Sequence, residues 1–313
     1  MRTLSQRIAD CVRTALPKAI QLVVWLLKIM LPISLAVSLL NYWGLIARLG
    51  GLLTPAFALI GLPGESAVVF ITSILVNIYA AIAVIATLPL DLREITILAL
   101  MCLISHNMPV ETAIQKKTRS SALRMIGLRL GTSCVAAVAL NALLPAQLGA
   151  VMAAQHGLAF AHIGDLLVNW LIGAGWLVLK IVLIVTGLMI LQNLLKEFNI
   201  IGFLSRLFAP LMGLLGLSRQ SAFLWLVAQI LGLAYGSAVL IDAVERNEIS
   251  AADADRLNYH IAVNHSLLED TLLFVAIGVP AAWITFPRIV LAMAVVWGVR
   301  AIARLRFNAK REG

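Results

Sequence analysis

ITILALMCLISHNMPVETAIQKK, residues 95–117, is apolar enough for a membrane interior but broken by a polar triplet, Ser105-His106-Asn107. About 11 residues precede the break, roughly half of a bilayer core at 1.5 Å per residue. Past it, Pro109 suits the first turn of a new helix, Asn107 suits an N-cap, and Glu111 falls near the positive end of the helix dipole. The stretch is therefore expected to form two half-helices that meet at mid-membrane as a re-entrant hairpin, with His106, Asn107 and Glu111 at its tip.

The rest of the chain gives that hairpin a membrane setting. Of 313 residues, 61% are hydrophobic and 12% charged, and the mean hydropathy of +0.98 agrees with a multi-pass membrane protein. The net charge of +9 comes from basic residues beside apolar helices, which read as topology signals and contacts with anionic lipid. No basic-aromatic module points to nucleic acid. Cys11, Cys102 and Cys134 make no disulfide framework or metal spacing. Residues 1–20 are predicted to be a retained basic amphipathic helix. Hydropathy then places full crossings at 21–43, 66–88 and 121–144, with an interfacial stretch over 44–63 and a loop over 145–165.

Self-similarity organises these segments. GLPGESA at 61–67 is echoed by GLSRQSA at 216–222, pairing Glu65 with Gln220. SHNMPVET at 105–112 is echoed by NHSLLEDT at 264–271, pairing His106 with His265, Glu111 with Asp270, Thr112 with Thr271 and, further on, Arg129 with Arg288. LKI at 27–29 recurs at 179–181 and pairs Lys28 with Lys180. Arg2, Arg7, Arg13 and Lys18 mark the N-terminus, and Lys116, Lys117, Arg119 and Arg124 the loop after the hairpin. Residues 145–165 and 272–287 carry no Lys or Arg, whereas the tail carries Arg304, Arg306, Lys310 and Arg311. The asymmetry flips between halves. The expectation is an all-α polytopic protein of two inverted-topology repeats, 21–150 and 151–313, each with about three full crossings, one re-entrant hairpin and an interfacial helix. Both termini are expected in the cytoplasm, and the membrane is expected to be the cytoplasmic one.

Polar groups at the midplane are costly and commonly functional, so the paired residues are the candidate solute or coupling site. His106 and His265 can exchange a proton near neutral pH. Glu111 and Asp270 suit a coupling cation or solute hydroxyls, with helix-end electrostatics as the plainer reading. Ser266 and Glu269 read as a capping box over 266–269. Glu65 and Gln220 start a crossing in each half; Asn77 and Gln229 suit interhelical hydrogen bonds. Lys28, Lys180, Arg129 and Arg288 are expected either in ion pairs or lining an anion site, because an unpaired buried charge is expensive.

No phosphate-binding loop, nucleophile elbow or local zinc motif occurs, so neither an enzyme nor a resident cofactor is expected, beyond a coupling proton or cation. GLPGESA, SHNMPVETAIQKK, GLSRQSA and NHSLLEDT together resemble the nucleoside-recognition (Gate) domain family, seen in spore-maturation-type membrane proteins and related to the gate regions of concentrative nucleoside carriers and ferrous-iron transporters. The resemblance implies a carrier with re-entrant gates, about one Gate unit per half. The expected partners are the lipid bilayer, a small polar or anionic solute and a second copy of the chain. The alternatives are a translocator of a phosphorylated lipid held by the four cations, a divalent metal carrier, and a scaffold without transport.

Overall fold

A computed structural model describes residues 3–148 and 162–312; Arg2 and the predicted boundary between halves at 150/151 lie outside them. The described residues contain helices and no strand. Helix α1 (Leu4–Tyr42) starts at a capping box of Thr3 and Gln6 and runs through Pro17 and Pro32 without a break. The basic N-terminal segment and the first crossing are thus one helix, with no boundary at residue 20. Helix α8 (Ile163–Glu197) packs antiparallel along α1: Arg7 Nε donates to Glu197 Oε1 at 2.8 Å, Asn193 Nδ2 to the Cys11 carbonyl at 3.0 Å, and Trp170 Nε1 to Ser34 Oγ at 3.2 Å. Bulky apolar side chains such as Trp25, Leu183 and Phe286 face outward, the reverse of a water-soluble surface. With five segments among the described residues long and apolar enough to span a bilayer, this is a multi-pass membrane protein in contact with lipid.

The contacts exchange two of the predicted assignments. Helices α3 (Ser66–Leu75) and α4 (Ile78–Ile85) are not one crossing, because the helix breaks at Val76 and Asn77 and the two limbs pack on each other. Helix α5 (Leu92–Ser105), capped by Asp91 and Glu94, then begins at the level where α3 began. Arg93 bonds Asn141 at 2.6–2.7 Å, and Gly61, just before α3, abuts the same Asn141 side chain. The hairpin is therefore 66–85. The stretch 95–117, expected to turn back, instead runs on: α5 and α6 (Met108–Lys117) follow one another along the antiparallel helix α7 (Ala122–Leu143), from Arg93 beside Asn141, past Arg129 beside Ile104, to the turn at Thr118. It is a broken pair of helices, 26 residues long and apolar enough to span a bilayer, and hydropathy alone cannot tell this from a hairpin.

The second half repeats this. Helix α9 (Ile200–Phe208) follows α8, and α10 (Ala222–Glu245) is interrupted at Gly232, φ 68° and ψ 174°. A Cβ on Gly236 would touch Val227 at 3.1 Å, whereas residues nine apart on a straight helix are separated by about 13 Å, so α10 doubles back. Helices α11 (Ala251–Val263) and α12 (Glu269–Val275) then run in succession along α13 (Ala281–Glu312). Backbone landmarks recur at matched positions. Left-handed residues pair as Gly44 with Asn199, Gly61 with Gly216, Asn107 with Ser266 and Arg119 with Gly278, and helix starts pair as Asp91 with Ser250. Counted back from the matched helix ends at Trp43 and Phe198, Lys28 corresponds to Leu183 and Lys180 to Trp25, so the LKI echo is out of step with the fold.

Helix α2 (Leu45–Ala58) is clamped to the first hairpin through backbone. A Cβ on Gly64 would collide with the Gly50 carbonyl, and one on Gly50 would lie 2.8 Å from Glu65 N. Gly64→Val is expected to destabilise by about 1–3 kcal/mol, since backbone cannot step aside as a side chain can. Gly51→Val, with open space at the Cβ position, is the control. Thermal melting of detergent-purified protein checks this; equal melting of the two variants contradicts the clamp.

Candidate functional site

Both broken helix pairs, α5–α6 and α11–α12, break beside a hairpin tip. Pro109 cannot continue α5, because its ring lacks an N–H and crowds the carbonyl of Ser105. Asn107 takes φ 48°, Ser266 takes φ 47°, and their N–H groups donate to hairpin carbonyls, Ser73 O at 2.8 Å and Ala228 O at 3.0 Å. Neither makes the side-chain cap expected of it. The carbonyls freed by the breaks go to buried arginines. Arg129 donates to Ile104 O at 2.7 Å and His106 O at 2.6 Å; Arg288 donates to His265 O at 3.2 Å and Thr271 Oγ1 at 2.8 Å. Backbone away from water is satisfied only inside protein, and guanidinium forks do it here.

The breaks bring four titratable side chains together. The imidazoles of His106 and His265 lie with centroids 5.0 Å apart. Glu111 is 3.2 Å from both Nε2 atoms, Asp270 Oδ2 is 3.4 Å from His106 Nε2, and Arg129 pairs with Glu111 at 2.8 Å. All are buried. Each imidazole places Nδ1 on the carbonyl four residues back, Cys102 O at 3.1 Å and Ile261 O at 2.7 Å. A carbonyl only accepts, so both Nδ1 atoms carry hydrogen and a neutral ring presents a lone pair at Nε2. Those lone pairs face carboxylate oxygens. Acceptor against acceptor is repulsive unless a proton or cation lies between them. The ligand atoms of His106, His265 and Asp270 lie within 4.8 Å of one another, and their types suit a transition ion. Arg129 and Arg288 already offset the two carboxylates, however, so a proton adds less buried charge than a divalent ion does.

The other predicted residues divide. Thr112 is buried beside Glu111 with its hydroxyl unpaired, and Thr271 is held by Arg288. Glu269 forms no capping box with Ser266; it accepts from Tyr79 Oη at 2.7 Å, across from the first hairpin. Gln229 donates to Asn264 O at 2.7 Å as an interhelical bond, whereas Asn77 caps its own α4 through Ala80 N. Glu65 is half-buried against α2 and Gln220 is exposed, both outside the cluster. Lys28 is exposed, and Lys180 donates to Ala276 O at 3.0 Å. The four cations expected around one head group are thus split between the helix exterior and the centre. Tyr79 was not among the predicted residues, and only its position two after Asn77 at the hairpin break signals it. Asn264, which opens the second break, has both amide atoms unpaired among the described residues.

Residues 23–143 match the family described as nucleoside recognition (Gate), covering α1 from its membrane portion through α7. The chain is 32% identical over 259 residues to the "Uncharacterized membrane protein YvoD" of Bacillus subtilis (strain 168), covering 81% of this chain and 82% of that protein. No solved structure matches. On the sequence match and the likeness over four-fifths of both chains, this protein belongs to the nucleoside-recognition (Gate) family of membrane proteins.

Proposed function

We propose that the chain is a secondary carrier that moves a small polar or anionic solute by alternating access, coupled to a proton at the His106–His265–Glu111–Asp270 centre. The reading rests on one observation above all: two imidazole lone pairs and two carboxylates converge with a proton's place between them. Two halves of opposite orientation, each with a hairpin re-entering the membrane from its own side, suit this mechanism because either half can rock against the other around a shared centre. Matched breaks next to both hairpin tips are the joints such rocking needs. The basic N-terminus and tail favour a cytoplasmic location for both ends. Unpaired buried polar atoms argue against a scaffold, in which they are expected to be paired.

The family's description makes nucleosides the first solutes to try, followed by phosphorylated and carboxylated small molecules. Purified protein in sealed vesicles, given this panel under an imposed pH gradient, is expected to take up one class, and His106→Ala is expected to abolish that uptake. Absence of solute-dependent flux across the panel, or uptake indifferent to His106→Ala, sinks the reading.

A further inference from the structure

Between the centre and the face carrying Lys116 and Arg119, helices α6, α10 and α11 meet in a seam lined by Thr112, Gln115, Gln229, His260 and Asn264, all buried. The Thr112 hydroxyl, both amide atoms of Gln115 and of Asn264, Gln229 Oε1 and His260 Nε2 have no hydrogen-bond partner among the described residues. Trp225 Nε1 donates to His260 Nδ1 at 3.2 Å, so the unpaired Nε2 carries the hydrogen. At its outer end the seam is latched by polar contacts. Asn258 Nδ2 reaches Thr118 O at 2.9 Å and Ser120 Oγ at 3.0 Å, and Ser120 reaches the half-exposed Asp255 at 2.5 Å.

The matched seam toward the opposite face differs in kind. By the register of the backbone landmarks, Gln115 corresponds to Phe274, Gln229 to Ile74, His260 to Met101 and Asn258 to Ala99. Asn264 corresponds to Ser105, whose hydroxyl is already bonded to Arg129 O, and Thr112 to Thr271, bonded by Arg288. At the matched positions the two halves differ: the unpaired groups of the first seam correspond to apolar or already bonded residues in the second, whose polar groups include buried Ser73 and the part-buried Tyr79–Glu269 pair near the hairpin tip.

We infer that in the conformation described here the centre is reached along the α6–α10–α11 seam, which hydrates and parts toward the Lys116–Arg119 face, while the opposite seam is the closed side of this conformation. Polar groups without partners gain hydrogen bonds when water enters, whereas parting Phe274, Ile74 and Met101 exposes apolar surface. The polar latch, unlike a packed apolar contact, exchanges its bonds for water at little cost. This holds whatever the solute is, and a flux assay that finds no substrate leaves it standing.

Single cysteines test it in full-length chain whose Cys11, Cys102 and Cys134 are replaced by Ala, in sealed vesicles of known orientation. The probe is a membrane-impermeant cationic methanethiosulfonate. Gln115→Cys and Asn264→Cys are expected to react at least about tenfold faster from the Lys116–Arg119 face than from the other, the order of difference that one unmet buried polar group confers. Met101→Cys and Phe274→Cys are expected to react at least about tenfold more slowly than the seam cysteines from either face in vesicles without solute or pH gradient. Seam cysteines that react from the opposite face, or remain inert while an exposed Arg119→Cys control reacts, overturn the inference. Hydrogen exchange on the unaltered protein tests it independently of any variant. Amides of 111–118 and 254–264 are expected to exchange faster than those of 95–102, and equal protection of the two sides counts against a one-sided route.

Discussion

Arg129→Met is expected to cost about 3–5 kcal/mol, the range for removing one partner of a buried ion pair, and to leave little folded protein in detergent. The side chain is fully buried and has three tasks at once: it pairs with Glu111 at 2.8 Å and donates to the carbonyls of Ile104 and His106 at 2.7 and 2.6 Å. Methionine fills similar volume but leaves an uncompensated carboxylate and two bare carbonyls at a helix break that has no water to turn to. Adding Glu111→Gln to the variant removes the stranded charge and is expected to restore part of the loss, not all, because the carbonyls stay unmet. Arg129→Lys should fall between, since a single ammonium cannot span three acceptors as a planar fork does. Arg288→Met is expected to cost less, because its hydrogen bonds go to the carbonyls of Ile284 and His265 and to the Thr271 hydroxyl, all neutral. Melting followed by size-exclusion of heated samples gives the order. If Arg129→Met melts with the parent, the guanidinium is not what holds the break.

That ordering exposes which parts of this fold could be seen in sequence. His106, His265, Glu111, Asp270, Arg129 and Arg288 were legible because a matched register carries charged residues into apolar helices, where chance seldom leaves them. The direction of the chain was not. A window that is 18–20 residues long and apolar has the same hydropathy whether it crosses or doubles back, so 66–88 passed for a crossing although the chain reverses at Asn77. The Ser105-His106-Asn107 break looked like a turn, yet only a kink in a continuing span results. Direction is decided by long-range contacts such as Arg93 with Asn141 and Gly61 with Asn141, and no local pattern encodes them. Lys28 and Lys180 misled for a related reason. A three-residue echo within uniformly apolar helices has many chances to occur, and only the matched helix ends reveal that it is out of register.

Asp270→Asn is expected to abolish accumulation of solute against its gradient while preserving solute exchange. His106 Nε2 lies 3.4 Å from Asp270 Oδ2, and with Nδ1 committed to Cys102 O the contact is repulsive until one proton joins the two groups. At low external pH that proton arrives from outside and permits the loaded centre to close; when the centre faces the higher-pH side, its departure restores the repulsion and resets the carrier. An asparagine amide donates permanently to Nε2, so the substituted centre behaves as loaded at every pH. It can still bind solute and reorient with it, but it cannot release a proton, and net movement driven by a pH gradient stops. The cost in stability is small beside that of Arg129→Met, because an amide replaces a carboxylate of nearly the same shape and no direct ion pair of Asp270 with either arginine is broken. Two assays on the same vesicles separate the outcomes: uptake under a pH gradient should fall to background, and exchange of labelled for unlabelled solute at equal pH should continue at a rate near that of the parent. Loss of both activities in a protein that still melts normally assigns Asp270 to solute binding instead, and retention of gradient-driven uptake removes the His106–Asp270 proton from the mechanism.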